Sequence, residues 1–114
     1  MILRNLTHPE VIATRYLAHG GGIAHMILDT RHLNTLMFLA HAIVAPGKNL
    51  SGHVDPMEEI YVIQKGRGRM QVGDEVREAV AGDAIHIPIG EYHELTNIGD
   101  EDLSILVVAG RIPE

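Results

Sequence analysis

The sequence predicts an all-β fold, a sandwich or small barrel, and three observations carry that prediction. From residue 36 onward, short apolar runs are separated by Gly, Pro and acidic turn signals. No window is long and periodic enough to specify a helix. Several runs, "FLAHAIVA" and "LSILVVA" among them, are apolar on both faces, where a sheet with one wet face would alternate. A second sheet or a partner subunit must cover those faces, and a homodimer is the economical expectation for a small barrel.

The N-terminal element is the least defined: in the first twenty residues "PEVIATRYLAH" fits either a short helix or an added edge strand, and "GGG" at 20 to 22 ends it. Strands are then predicted at Ile23–Leu28, Leu36–Ala45, Glu59–Gln64, Gly68–Val72, Val76–Val80, Ala84–Ile87, Glu94–Asn97 and Leu103–Val108. The segments "PGKNLSG", "KGRG", "VGDE", "AGD", "IPIGEY" and "NIGDED" separate them as turns and loops. No linker, repeat or low-complexity tract divides the 114 residues, so a single domain is expected over 1–114. Residues 1–35 supply strands or a short helix packed on the barrel, and residues 36–110 form its core.

Composition narrows the function. There is no Cys, which excludes thiolate ligands, thiol nucleophiles and disulfides and leaves His and carboxylate to hold any metal. A formal net charge of −6 with nine Lys and Arg argues against nucleic acid or an anionic membrane as partner, since both need a basic patch. The start "MILRNLTHPE" lacks the order of a signal peptide, and "LMFLAHAIVAP" is too short to span a bilayer. A soluble cytoplasmic protein is expected.

The stretch "GHVDPMEEIYV" sets His53, Asp55, Glu58 and Glu59 directly before apolar chain. Asp55, Pro56 and Glu58 would make a good helix start, with Asp as N-cap and Pro at N1. The residues after them, "IYVIQKGRG", are β-branched and aromatic and are closed by Gly66 and Gly68, which suits a strand and a tight turn better. On strands, side chains two apart share a face, so His53 and Asp55 can converge while Glu59, Tyr61 and Ile63 form a row on the next strand. Glu58 is out of phase with that row and is expected in solvent. A second cluster, "PIGEYHELTN", supplies His93. Two imidazoles and a carboxylate from His53, Glu59 and His93, with Asp55 as a fourth donor, compose a facial-triad type of metal site.

These residues resemble the two motifs of the cupin family. In "GKNLSGHVDPMEEIYVIQKG", Gly47, His53, the position of Asp55, Glu59 and Gly66 have five, one, three and six residues between them, as in the first motif. In "GDAIHIPIGEYHELTN", Gly82, Pro88, Gly90, His93 and Asn97 have five, one, two and three residues between them, as in the second. The matched stretch, Gly47 to Asn97, covers a little under half of the chain. The resemblance implies a double-stranded β-helix, a small jelly-roll barrel, with His53, Glu59 and His93 as ligands of one divalent ion, Zn, Ni, Mn or Fe. The chain departs from the family at Asp55, where a second His is usual. That Asp binds the ion directly, binds it through water, or merely starts the turn at Pro56.

The implied activity is that of a small metalloenzyme, of isomerase, lyase or dioxygenase type, with Tyr61 or a non-ligating Asp55 moving a proton. Phe, Trp and Tyr total four residues, so a small polar or carbonyl-bearing substrate is expected rather than a broad aromatic one. The alternative is a non-catalytic module that binds a metal or small ligand; sensors of that kind usually carry a helical DNA-binding domain, which is not expected in this sequence. Gly47, Gly66, Gly82, Gly90 and Pro88 read as turn-formers that specify fold. His41 and His86 lie inside apolar runs and read as buried structural histidines with one hydrogen bond each, although His41 could line the site. His8, His19, His25 and His32 lie in turn-like sequence and read as exposed, and Tyr92 reads as pointing away from the site beside His93.

Overall fold

The computed structural model describes residues 1–110, and the last four residues of the expected domain lie outside the described ones. It is almost entirely β, with ten strands and one helical turn. Helix α1 is Pro9–Ile12, and the strands are β1 Tyr16–Ala18, β2 Gly22–Leu28, β3 Leu36–Val44, β4 Asn49–Val54, β5 Glu59–Lys65, β6 Arg67–Val72, β7 Glu75–Val80, β8 Ala84–Ile87, β9 Tyr92–Asn97 and β10 Leu103–Gly110. Both readings of the N-terminal segment are met in turn, since a short helix opened by Pro9 is followed by an edge strand.

Two antiparallel sheets form, a six-stranded one in the order β1-β2-β3-β10-β5-β8 and a four-stranded one in the order β4-β9-β6-β7. From β3 to β6 and again from β7 to β10, the chain changes sheet at every step, which is the winding of a double-stranded β-helix. The alternation that drives it is plainest in β10, where Leu103, Ile105, Val107 and Ala109 are buried and the residues between them are not. Leu103, Ile105 and Val107 join Ala40, Ala42, Val44, Ile63, Met70, Ile87 and Leu95 in one core between the sheets. Asn97 is buried with them because its amide donates to the carbonyls of Val44 and Glu101, both at 2.8 Å, and its Oδ1 accepts from Gly99 N–H. That second-motif residue is structural.

One strand was not expected: β4 covers "NLSGHV", which reads as loop because Asn49, Ser51 and Gly52 are poor strand formers. Strand β4 exists because β9 pairs with it, and the register shifts between Leu50 and His53, where the chain bulges. Gly47, Gly66, Gly82 and Gly90 all have φ between +76° and +96°, as turn-formers should. Gly66 is also hemmed in, since a Cβ there would sit 2.9 Å from the carbonyl oxygen of Asp102.

The outer face of the six-stranded sheet is apolar, as the two-faced runs require. Ile23 pairs with Ile43, Val62 with Leu106 and Ile60 with Val108, and Ile23, Ile43 and Ile60 are each more than a third exposed. His41 lies on this outer face, between inward-facing Ala40 and Ala42, and its Nε2 is 2.8 Å from Ser104 Oγ. It is the buried structural histidine expected from the sequence and does not line the site. His86 departs from that expectation: it is exposed and pairs with exposed Glu58 at 2.7 Å. Among the described residues, no helix is long and apolar enough to cross a membrane.

Candidate metal centre

The pairing of β4 with β9 sets His53 directly opposite His93. Their rings meet at 4.1 Å between centroids, with 61° between planes. Glu59, the first residue of β5, reaches in from the other sheet, and its position in phase with Tyr61 and Ile63 buries it. Asp55 stands just beyond the end of β4, in the link to β5. One ligand atom from each of His53, Asp55, Glu59 and His93 can be chosen so that all lie within 4.8 Å of one another. The cluster expected from sequence is therefore assembled in space from two sheets and the link between them.

The hydrogen bonds say what this cluster is suited to hold. His53 Nδ1 is 2.7 Å from the carbonyl oxygen of Ser51, and His93 Nδ1 is 3.0 Å from that of Glu91. A carbonyl only accepts, so each Nδ1 carries a proton and donates it, and each ring turns its Nε2 toward the cluster. There, His53 Nε2 faces Asp55 Oδ2 at 3.0 Å, and His93 Nε2 faces Asp55 Oδ2 at 3.5 Å and Glu59 Oε1 at 3.4 Å. Lone pairs of imidazole and carboxylate repel unless a proton or a cation lies between them. Glu59 Oε1 and His93 Nε2 are buried with no hydrogen-bond partner, the 3.4 Å between them being poorly aligned for one. Two nitrogen and two oxygen donors, two of them orphaned and both imidazoles fixed by main-chain carbonyls, fit a divalent ion.

The same crowding sets the acidities. Burial pushes the Glu59 carboxyl above its ordinary value, and the neighbouring Asp55 adds to the rise. Burial acts on Asp55 in the same direction, but the Glu59 carboxyl and the nearby histidines outweigh it and hold Asp55 below its ordinary value. For His93, burial lowers the pKa, while Glu59, the Glu91 carbonyl and Asp55 raise it, and the net shift is upward. Tyr61 is buried with its ring edge-on to His93, 6.0 Å away. Burial first, then Glu59 and Asp55, push its phenol far up, so Tyr61 keeps its proton and can donate a hydrogen bond but cannot serve as a base.

A cleft of about 550 Å³ opens between β7 and β8, with Met70, Val72, Ala79 and Ile85 on its inner wall. Val72 pairs with His93 and Ile85 with Tyr61, so the cleft lies beside the cluster. Tyr92 is exposed, and its phenol lies over Gly52, where a Cβ would meet the hydroxyl.

Sequence reading missed His19. It sits in the turn between β1 and β2 and is exposed, as expected, but its ring stacks on His53 with centroids 3.5 Å apart and planes 11° apart. The signal was the "GGG" directly after it. A Cβ at Gly21 would lie 1.7 Å from the main-chain oxygen of Asn49, so only glycine lets this turn lie against β4.

Comparison with known proteins places these features in context. The family model described as "Cupin domain" matches residues 40–109. Auxin-binding protein 1 of Arabidopsis thaliana is 35% identical over 78 residues, 60% of this chain and 39% of that protein. The chain thus spans about two-fifths of the length of that relative. Uncharacterized protein MJ1618 of Methanocaldococcus jannaschii is 37% identical over 93 residues, covering 80% of this chain and 74% of the relative. Among solved structures, a predicted oxalate decarboxylase from Thermotoga maritima superposes with a TM-score of 0.83 at 24% identity, covering 96% of this chain and 98% of that one.

Proposed function

The chain belongs to the cupin family, and from that premise we propose that it is a small metalloenzyme acting on a small polar or carbonyl-bearing substrate. One divalent ion is held by His53, Asp55, Glu59 and His93. The observation that carries this reading is the pair of imidazoles that donate Nδ1–H to main-chain carbonyls and turn both Nε2 atoms onto two carboxylates. When bound, such an ion polarises a carbonyl or carboxylate oxygen or offers a place for O₂.

The chain's own residues hold and move protons around it. Tyr61 keeps its phenolic proton and is able to donate it in a hydrogen bond. Asp55 is the more exposed of the two carboxylates, 19% against 5% for Glu59, and where it does not ligate it accepts a proton from the substrate. Isomerase, lyase and ring-opening dioxygenase chemistries all suit this arrangement.

A second reading, a binding module without turnover, is favoured by one feature. Two carboxylates cancel the charge of a divalent ion, and a neutral centre is the weaker electrophile. Homodimerisation through the apolar outer face of the six-stranded sheet belongs to the proposal under either reading.

The test is elemental analysis of protein purified without chelators. One ion per chain is expected, and His53→Ala, Glu59→Ala and His93→Ala should each lose most of it while keeping a β circular dichroism spectrum. Full metal content in all three variants would refute the assignment. Small keto acids, sugars and catechols, screened with and without air on the loaded protein, then separate turnover from binding alone.

A further inference from the structure

Access to the cluster is lopsided. The side chains of Glu59 and His93 are 5% and 1% exposed, whereas those of His53 and Asp55 are 15% and 19% exposed. A ligand arriving from solvent therefore meets His53 and Asp55 first. His19 stands on that side, stacked face to face on His53, and its electrostatic influence extends to Asp55.

Three features show that this placement is built into the chain. His19 is the one residue other than glycine with positive φ among the described residues, at 48°, a conformation that costs a β-carbon-bearing residue energy and collects at functional sites. Its carbonyl oxygen accepts a hydrogen bond from Ser51 N–H at 3.0 Å, two residues before His53. The absence of a Cβ at Gly21 lets the turn press against Asn49 at the start of the same strand. The β1–β2 turn is thus moored to β4, and its strain is held by long-range contacts. Yet no hydrogen bond engages the ring nitrogens of His19 among the described residues, so a donor is left free at the mouth of the cup.

The carboxylates of the cluster give that donor a role. Among the described residues, every ion-pair contact of Asp55 and Glu59 is to a histidine, and no Lys or Arg contributes to the field on either carboxylate. With both carboxylates bound, a divalent ion would attract an anion little by charge alone. Selectivity for an oxygen ligand then rests on hydrogen bonding around the open position.

We propose that His19, which lies outside the segment matched by the family model, is the ligand-contacting residue at the solvent side of the metal cup, donating a ring N–H to a carboxylate or carbonyl oxygen of the incoming ligand. This inference rests on the metal reading above and names a substrate-side contact for it.

The experiment uses the full chain loaded with Co(II), with acetate as the oxygen-donor probe, in wild type and His19→Gly. Glycine is at ease at positive φ, so the turn is kept while ring and donor are lost. Cobalt content and the visible cobalt spectrum without acetate should be unchanged, and acetate affinity should fall by about ten- to a hundredfold, the range for a hydrogen bond to a charged group. His19→Phe, which replaces the stacked ring without its N–H, should lose acetate affinity as well. A shifted spectrum in His19→Gly would make the stack a support for His53 and overturn the donor role. Wild-type acetate affinity in either variant would overturn it too. Failure of the wild type to take up cobalt would instead refute the metal reading beneath, and this inference with it.

Discussion

Replacing Asp55 by Asn is the perturbation whose sign the geometry fixes most firmly. Asn keeps the shape of the side chain before Pro56 and removes one negative charge, so a centre of two carboxylates and a divalent ion passes from neutral to +1. The ligand atoms of the cluster lie within 4.8 Å of one another, and an anion on the same ion would sit at a similar spacing from Asp55. At about 4 to 5 Å, the repulsion between unit charges is roughly 3 to 4 kcal/mol at an effective dielectric of 20 and about 1 kcal/mol in water. Asp55 is 19% exposed, which places it between these limits. Relief of about 1 to 3 kcal/mol corresponds to acetate binding roughly ten- to a hundredfold tighter. Affinity for the metal should move the other way, falling by about ten- to a hundredfold, the scale on which a metal site loses a supporting group. Calorimetry gives both numbers, with metal titrated into the metal-free protein and acetate into the loaded one. Unchanged affinities for both would make Asp55 a turn residue, its replacement costing only about 1 kcal/mol of stability. The site would then reduce to His53, Glu59, His93 and water.

Two further outcomes are expected. The ion must displace protons, and His93 and Glu59 hold theirs above the ordinary values of 6.5 and 4.5; competition therefore sets in already above pH 6.5, and metal affinity should rise with pH from about 5 to 8 with proton release in calorimetry. An affinity flat across that range would remove His93 from the ligand set. The outer face of the six-stranded sheet should hold a dimer in sedimentation, and Ile43→Lys, which sets a charge at a position 38% exposed and cross-strand from Ile23, should leave monomer; wild-type monomer at micromolar concentration would refute the interface.

The reach of sequence reasoning is clearest where it stopped. Strands rich in β-branched residues, such as Glu59–Lys65 and Leu103–Gly110, are legible because propensity and the flanking turn signals agree. Strand β4 is not, because its strand character is supplied by β9 and interrupted by a bulge, neither of which is local. The cluster of His53, Glu59 and His93 could be anticipated because the two motifs that resemble the cupin family carry these residues at fixed spacing. The phase of His41 could not, since the run around it is apolar on both faces and gives no sign of which way is in. His19 was hidden for a related reason: its own sequence says only "turn", and its contact with His53 is set by the packing of Gly21 on Asn49, some thirty residues away.

The four ionisable residues that lead into buried chain make sense once the two sheets are considered separately. His53 and His93 belong to the four-stranded sheet, Glu59 to the six-stranded sheet, and Asp55 to the link that carries the chain between them. Strand pairing holds each sheet together internally, while the facing sheets rely on side-chain packing across the core. Glu59 Oε1 and His93 Nε2 are buried without partners, and each such group costs about 1 to 3 kcal/mol. The core of Ile63, Leu95, Leu103 and Ile105 carries that cost. An ion bound by ligands from both sheets would satisfy the orphaned atoms and cross-link the layers, so its binding would add to fold stability by mass action.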